Sequence, residues 1–367
     1  MKQSVLRTDE KITFKLRELY RDWGYVQYRV GKFEEYDLYM QNKNFLASEQ
    51  ILTFSDTNGK LMALKPDITL SIIKNTKDGG GTKKLFYSEH VYRVPKNAYG
   101  FKEILQTGLE CIGEVDSLAT AEVLMLAAES LKTISERFVL DLSHVGIVSG
   151  VLEAEGLSGS AAADVLDAVS NKNLHACELA CGRGGVSENG KALLSALITL
   201  SGEAETVAKE LAAFDLPPQS KAALEELLQL SRDVKACGDY PIHIDFSVVN
   251  DMDYYSGIVF KGFVEGVPTG VLSGGRYDHL MAKMGKNSGA IGFAVYLDQL
   301  ERFMTEQRDY DVDTLILYDG NSDTDAVMAK AKALREEGRS VRIQHRSGDG
   351  IRSRVTLFAA GKEMKEV

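Results

Sequence analysis

The 367-residue chain is short of several things that would settle its class at once. It has four cysteines, Cys111, Cys177, Cys181 and Cys237, too few and too scattered for a disulfide framework. His175, Cys177 and Cys181 lie close in sequence, but a metal site needs a fourth ligand, so none is expected and the cysteines read as small buried residues. No run of eighteen apolar residues occurs, which excludes a membrane-spanning helix. The first ten residues hold no apolar core of signal-peptide length, and the expected location is the cytoplasm. Positive charge is also scarce. Lysine and arginine number 43 against 53 aspartates and glutamates, a net charge of -10, which makes the chain a poor default binder of nucleic acid. Internal repeats and low-complexity tracts are absent, and prolines number six.

What is there is a globular composition, 44% hydrophobic and 26% charged, long enough for two or three domains. An amphipathic helix is expected from Thr8 to Trp23, capped by Thr8, with Ile12, Leu16, Leu19, Tyr20 and Trp23 on one face. Tyr25 to Val30 alternates as a strand does. Asp56-Thr57-Asn58-Gly59 marks a hairpin between Ile51–Ser55 and Leu61–Leu64. A helix follows from Thr69. Two strands, Lys84–Arg93 and Ile104–Gly113, come next, then a helix from Ser117, with Ser117 as cap, and a strand from Phe138. Gln106, Gly108 and Glu110 share one strand face; a buried glutamine and glutamate there are costly unless they bind something.

Residues 148–240 shift to short Ala- and Leu-rich helices, read as a helical insertion between core parts at 1–147 and 241–307. Residues 308–367 read as a small βαββ unit. The stretch Asp245–Asp278 reads as three strands, Asp245–Val249, Gly257–Val264 with a bulge at Gly262, and Val271–Ser273. Gly274 and Gly275 would follow the third strand, and Arg276-Tyr277-Asp278 would open a helix. Paired tyrosines beside a glycine-lined floor suit a small molecule, not a polymer. Gly289–Arg302 reads as a strand or a glycine-started helix.

Five motifs stand in order: Lys65-Pro66-Asp67-Ile68-Thr69, Tyr92-Arg93 with Gln106-x-Gly108-x-Glu110, Asp253-Tyr254-Tyr255-Ser256-Gly257, Gly274-Gly275-Arg276-Tyr277-Asp278, and Ile291-Gly292-Phe293-Ala294. Together they resemble the catalytic core of the histidyl-tRNA synthetases. The resemblance implies an α+β fold: a class II synthetase-like antiparallel sheet flanked by helices, with a helical insertion and a small C-terminal α/β unit. It also implies that Asp67, Thr69, Arg93, Gln106, Glu110, Tyr254, Tyr255 and Tyr277 line a histidine pocket. Asp67 shortens the glutamate usual at its position.

The departures concern charge. Where a synthetase of this kind carries an arginine at the reacting phosphate, the chain has Asn250, followed by Asp251; where a second arginine holds the ATP γ-phosphate, it has Gln299. Losing one fixed donor to a developing anion costs about 3–4 kcal/mol, a factor of about 100 to 1000. Losing two leaves adenylation negligible, so no catalytic residue and no cofactor are expected. A kept amino-acid pocket without ATP arginines resembles the paralogous regulatory subunits of ATP phosphoribosyltransferase. That likeness implies a non-catalytic role in histidine biosynthesis, a short catalytic subunit as partner in a hetero-octamer, self-association as a dimer, L-histidine as effector, and no tRNA. The competing readings are an adenylating enzyme that has moved its charges among Arg29, Arg93, Arg276 and Arg302, and a stand-alone histidine sensor.

Overall fold

A computed structural model describes residues 6–43, 46, 50–77, 79, 81–94, 100–248, 254–303, 309–346 and 350–367. The chain divides into two compact units, Met1–Met304 and Thr305–Val367.

In the first unit the strands are β1 (Val26–Gln27), β2 (Phe33–Glu35), β3 (Thr53–Ser55), β4 (Leu61–Leu64), β5 (Lys83–Arg93), β6 (Lys102–Gly113), β7 (Phe138–His144), β8 (Ser201–Gly202), β9 (Ile242–Asp245), β10 (Ile258–Val264), β11 (Leu272–Arg276) and β12 (Gly289–Tyr296). Nine of them form one sheet in the order β1-β5-β6-β12-β11-β10-β7-β9-β8. Pairing is antiparallel except for β1 with β5 and β7 with β9. A three-stranded sheet, β2-β4-β3, carries the predicted hairpin.

The helices are α1 (Thr8–Asp22), α2 (Tyr36–Gln41), α3 (Thr69–Asn75), α4 (Ser117–Ile134), α5 (Val145–Ala154), α6 (Gly159–Ser170), α7 (Leu174–Gly184), α8 (Glu188–Thr199), α9 (Ala204–Leu211), α10 (Pro218–Cys237), α11 (Asp278–Lys283) and α12 (Leu297–Phe303). Two starts differ from expectation. At α1 the Arg7 backbone N–H donates to the Glu10 carboxylate at 2.8 Å, and Thr8 is already the first helical residue. At α4 the cap is Asp116, whose carboxylate accepts from the Ala119 N–H at 2.8 Å, one residue before the expected Ser117.

Strand alternation divides the burial between two cores. Phe86, Leu109, Cys111, Ile291, Phe293 and Val295 point to one face of the sheet and share a core with α4 and the helices from α5 to α10. Tyr87, Ile112 and Ala290 point the other way, joining Tyr277, Ile68 and Ile72 in a second core. Each fully buried large apolar side chain contributes about 1.5–3 kcal/mol. The first side is mainly apolar, with a Ser88–Thr107 hydroxyl pair at 3.0 Å within it, while the other side combines apolar packing with the polar groups of a cavity.

Six local expectations are corrected or sharpened. The first strand of the Asp245–Asp278 stretch ends at Asp245 where it was expected to start. The Asp245 carboxylate accepts from the Ser247 N–H at 2.9 Å and its hydroxyl at 2.7 Å, folding the backbone into a turn. Gly262 is no bulge: it pairs in register with Leu140 and Leu272, and an added Cβ would lie 2.6 Å from the Leu131 side chain of α4, so its role is close packing. Gly274 and Gly275 lie inside β11 rather than after it. The insertion is not helical throughout, since Ser201–Gly202 pairs with β9. The strand expected over Tyr25–Val30 shrinks to Val26–Gln27. Gly289–Arg302 is a strand followed by a helix.

The second unit holds β13 (Val312–Tyr318), α13 (Thr324–Glu336), β14 (Val341–His345), β15 (Ser353–Ala360) and β16 (Glu363–Glu366), with sheet order β14-β13-β15-β16. The sequence pattern missed β16, a largely exposed Glu-Met-Lys-Glu segment without apolar alternation, which pairs antiparallel to β15.

Candidate ligand-binding site

On the polar side of the sheet, β5, β6, β11 and β12 floor a cavity of about 140 Å³, closed by α3 and the Tyr254–Tyr255 turn. All eight residues expected in a histidine pocket, Asp67, Thr69, Arg93, Gln106, Glu110, Tyr254, Tyr255 and Tyr277, line it.

Register explains why it is hollow. Gly108 of β6 pairs with Tyr87 and Ala294, and Gly292 of β12 pairs with Glu110 and Gly275. A Cβ on Gly108 would lie 2.7 Å from the Tyr87 hydroxyl and 2.1 Å from the Phe293 carbonyl oxygen. One on Gly292 would overlap the Glu110 carboxylate at 1.8 Å, and one on Gly275 would strike the Tyr255 ring at 2.6 Å. These glycines make room for neighbouring polar and aromatic side chains.

Glu110 is the centre. It is 2% exposed, and its two oxygens accept from the Thr69 hydroxyl at 2.8 Å and the Tyr277 hydroxyl at 2.5 Å. Burial pushes its carboxyl up to about 8, against the lowering effect of those two donors, and nearby Asp67 adds to the rise. Asp67 accepts from the Leu70 N–H at 2.9 Å at the start of α3. Part of its surface opens to the cavity, yet it lies deep enough that desolvation raises its carboxyl, with the Leu70 N–H and Arg93 pulling the other way. The site thus holds two carboxyls that burial raises, Glu110 to about 8 and Asp67 against the pull of Arg93.

Gln106 is 5% exposed and lines the cavity, and its side-chain amide, unlike its main chain, has no hydrogen-bond partner among the described residues. A buried amide left so is costly unless a guest or solvent satisfies it. The tyrosines form the lid. Tyr254 stacks edge-on to Tyr255 with ring centres 4.7 Å apart, and lies 5.9 Å from Tyr277. Residues 254–257 form a turn before β10, not a strand, so both tyrosines reach the cavity. Arg93 sits over Tyr296 at 6.0 Å.

Sequence reasoning missed Tyr87, Ser273 and Tyr296 among the lining residues, and Phe293, whose ring packs on the other face while its carbonyl meets the Tyr87 hydroxyl. Tyr87 and Phe293 read as ordinary strand apolars. The usable signal was the glycine opposite each in the neighbouring strand.

A second cavity of about 470 Å³ adjoins the first, sharing Arg93, Tyr255, Ser273, Gly274 and Tyr296. Gln299 lines it; its carbonyl accepts from Thr269 at 3.2 Å and its amide donates to Asp298 at 3.1 Å. Asn250 and Asp251 lie outside the described residues, as do the side chain of Arg302 and the first residue of the Asp253-Tyr254-Tyr255 motif. Arg276 pairs with Asp278 at 2.8 Å and does not line the first cavity. Cys177 and Cys181 are buried in the helical core with sulfurs 3.8 Å apart, and His175 is exposed. Among the described residues no group of three His, Cys, Asp or Glu side chains could hold a metal ion, and no helix is long and apolar enough to cross a membrane.

Comparison with known proteins fits this architecture. The sequence profile of the family Histidyl-tRNA synthetase matches residues 3–300. An ATP phosphoribosyltransferase regulatory subunit from Moorella thermoacetica is 30% identical over 361 residues, covering 96% of this chain and 92% of that protein. The crystal structure of an ATP phosphoribosyltransferase regulatory subunit/histidyl-tRNA synthetase from Bacillus halodurans superposes with a TM-score of 0.75 at 25% identity, covering 97% and 95% of the two chains. A chain from the ATP phosphoribosyl transferase (HisG:HisZ) complex of Thermotoga maritima shares the fold, with a TM-score of 0.61 at 19% identity over 79% of this chain and 97% of that one. The chain therefore has the class II synthetase-like fold and belongs to the histidyl-tRNA synthetase family, within it to the ATP phosphoribosyltransferase regulatory subunits.

Proposed function

We propose that the chain is a non-catalytic regulatory subunit that binds a short catalytic ATP phosphoribosyltransferase subunit, activates it, and makes it sensitive to L-histidine held in the first cavity. The observation that carries the ligand part is the cavity's polar set: an unpartnered Gln106 amide, the buried Glu110 carboxyl with its two hydroxyl donors, and Asp67. A zwitterion with an imidazole offers both donors and acceptors to such a set. Membership in the regulatory-subunit family supports the partner. Self-association as a dimer and a hetero-octamer with the catalytic subunit belong to the same reading. So do its place in histidine biosynthesis and its freedom from tRNA, which the net charge of -10 supports.

The alternative of an active adenylating enzyme has one favourable feature, Arg93 at the junction of the two cavities. Against it stand Asn250 in the sequence and Gln299, a neutral amide engaged by Thr269 and Asp298, where a fixed cation is needed. Two measurements test the proposal. Affinity capture with a short-form catalytic subunit should recover a complex whose phosphoribosyltransferase activity falls on adding histidine. Histidine-dependent ATP–pyrophosphate exchange should be absent. Robust exchange, or calorimetry without histidine-dependent heat in either the free chain or the complex, overturns it.

A further inference from the structure

Two of the sequence motifs carry residues that the first cavity does not use. Ser256 follows the paired tyrosines, and Arg276 and Asp278 flank Tyr277, yet none of the three lines the cavity. They are bonded to one another instead. The Ser256 N–H donates to the Arg276 carbonyl at 2.8 Å, and the Ser256 hydroxyl accepts from the Asp278 N–H at 2.9 Å. The Asp278 carboxylate ties in two strands. One oxygen accepts from Arg276 Nε of β11 at 2.8 Å, the other from the Ala290 N–H of β12 at 2.9 Å. The Tyr277 N–H donates to the Ala290 carbonyl at 2.8 Å, and the Gly257 carbonyl, at the far end of the turn, accepts from the Val145 N–H at 3.0 Å. A carboxylate with a donor on each oxygen is fixed in place, and its charge strengthens both bonds. Through these bonds the position of Tyr254 and Tyr255 is set relative to Tyr277, whose hydroxyl donates to Glu110 at 2.5 Å. The fit is close: the Tyr255 ring stands 2.6 Å from where a Cβ on Gly275 would be. A shift of about 1 Å in such a constellation is enough to lose most of its contacts with a guest.

We propose that Ser256 and Asp278 are positioning residues of the ligand site: as one hydrogen-bonded latch they fix the three tyrosines against the cavity, although neither lines it. The inference rests on the reading of that cavity as the histidine site; the first arm of the test below does not.

The first arm needs no ligand. 3-Fluorotyrosine replaces Tyr255 in the full chain, and its fluorine NMR signal is compared among the otherwise unaltered chain, Ser256→Ala, Ser256→Thr and Asp278→Asn. The signal should move or split by more than its linewidth in Ser256→Ala and Asp278→Asn, and return in Ser256→Thr, which keeps the hydroxyl acceptor. Asp278→Asn turns an amide N–H group or loses a charge toward Arg276; if it does not fold, the two Ser256 variants decide. The second arm follows the same signal during a histidine titration and takes association and dissociation rates from the line shapes. Dissociation should be about fivefold faster in Ser256→Ala and Asp278→Asn, with association nearly unchanged and Ser256→Thr restored. A merely destabilised variant would lower the folded fraction without speeding dissociation from the molecules that remain folded. An unmoved signal in Ser256→Ala, a moved signal with unchanged dissociation, or a Ser256→Thr variant that behaves like Ser256→Ala overturns the proposal. If the unaltered chain does not bind histidine, the histidine reading fails, while the first arm still decides whether the latch sets the ring.

Discussion

Replacing Glu110 by glutamine separates a carboxyl that keeps its proton from one that is ionised at rest. With a value of about 8 in the empty cavity, Glu110 is mostly protonated at pH 7. A cationic guest must drive that proton off, at a cost of about 1.4 kcal/mol at pH 7, one unit below the midpoint. Affinity for histidine should therefore rise about fivefold from pH 7 to pH 8, a window between the titrations of the ligand's own imidazole and amino groups. Binding at pH 7 should release close to one proton, read by calorimetry in buffers of different ionisation enthalpy. Stability of the empty protein runs the opposite way. The folded state holds a proton that the unfolded chain gives up near 4.5, so Glu110's contribution is complete below that point and is lost as pH rises to about 8. Between pH 5 and pH 7 the loss is about 2.5 kcal/mol, visible in urea unfolding. Glu110→Gln should match the wild type in stability at pH 7, abolish the pH dependence of affinity over this window, and release no proton. A flat wild-type affinity, or stability that climbs from pH 5 to pH 7 relative to the variant, would refute the assignment of a protonated carboxyl.

Other outcomes follow from the same geometry. Tyr277→Phe removes the 2.5 Å donor to Glu110 and should weaken histidine binding by about 1.5–3 kcal/mol at pH 8, measured by calorimetry, while moving the midpoint of the affinity profile upward. Gly292→Ala places a methyl 1.8 Å from the Glu110 carboxylate and 2.4 Å from the Leu109 carbonyl, and should cost at least about 1–3 kcal/mol in urea unfolding. Gly182→Ala, in helix α7 with open space around it, should leave stability unchanged or raise it by up to about 1 kcal/mol. Lys65, with a side chain 1% exposed and held by Glu89 at 3.0 Å, links β4 to β5; Lys65→Met strands Glu89 and should cost about 3 kcal/mol by thermal or urea unfolding.

Much of the cavity was readable because β6 is regular. Period-two alternation alone put Gln106, Gly108 and Glu110 on one face, and the structure keeps them there. The Thr69 helix and the strands on either side of residue 100 were equally plain. What escaped was set by tertiary neighbours. That Tyr87 belongs to the site depends on Gly108 lying opposite it, a register invisible along one strand. The Gly262 bulge failed because Leu131, far earlier in the chain, supplies the reason for the glycine. The end of β9 was misplaced because a single carboxylate, Asp245, diverts the backbone into a turn despite the β-branched residues that follow. The fourth strand of the second unit carries no apolar alternation, only Met364 packing on the core, and is held chiefly by its pairing with β15.

The cavity is stitched from segments far apart in the chain: the Tyr277 hydroxyl reaches a carboxylate 167 residues earlier. Such closures form late, because loop entropy must be met before they contribute. A guest held there gains little from a half-formed chain and almost everything from the finished one. Histidine should accordingly act as a kinetic lock, slowing unfolding in proportion to its occupancy while leaving the refolding rate nearly unchanged.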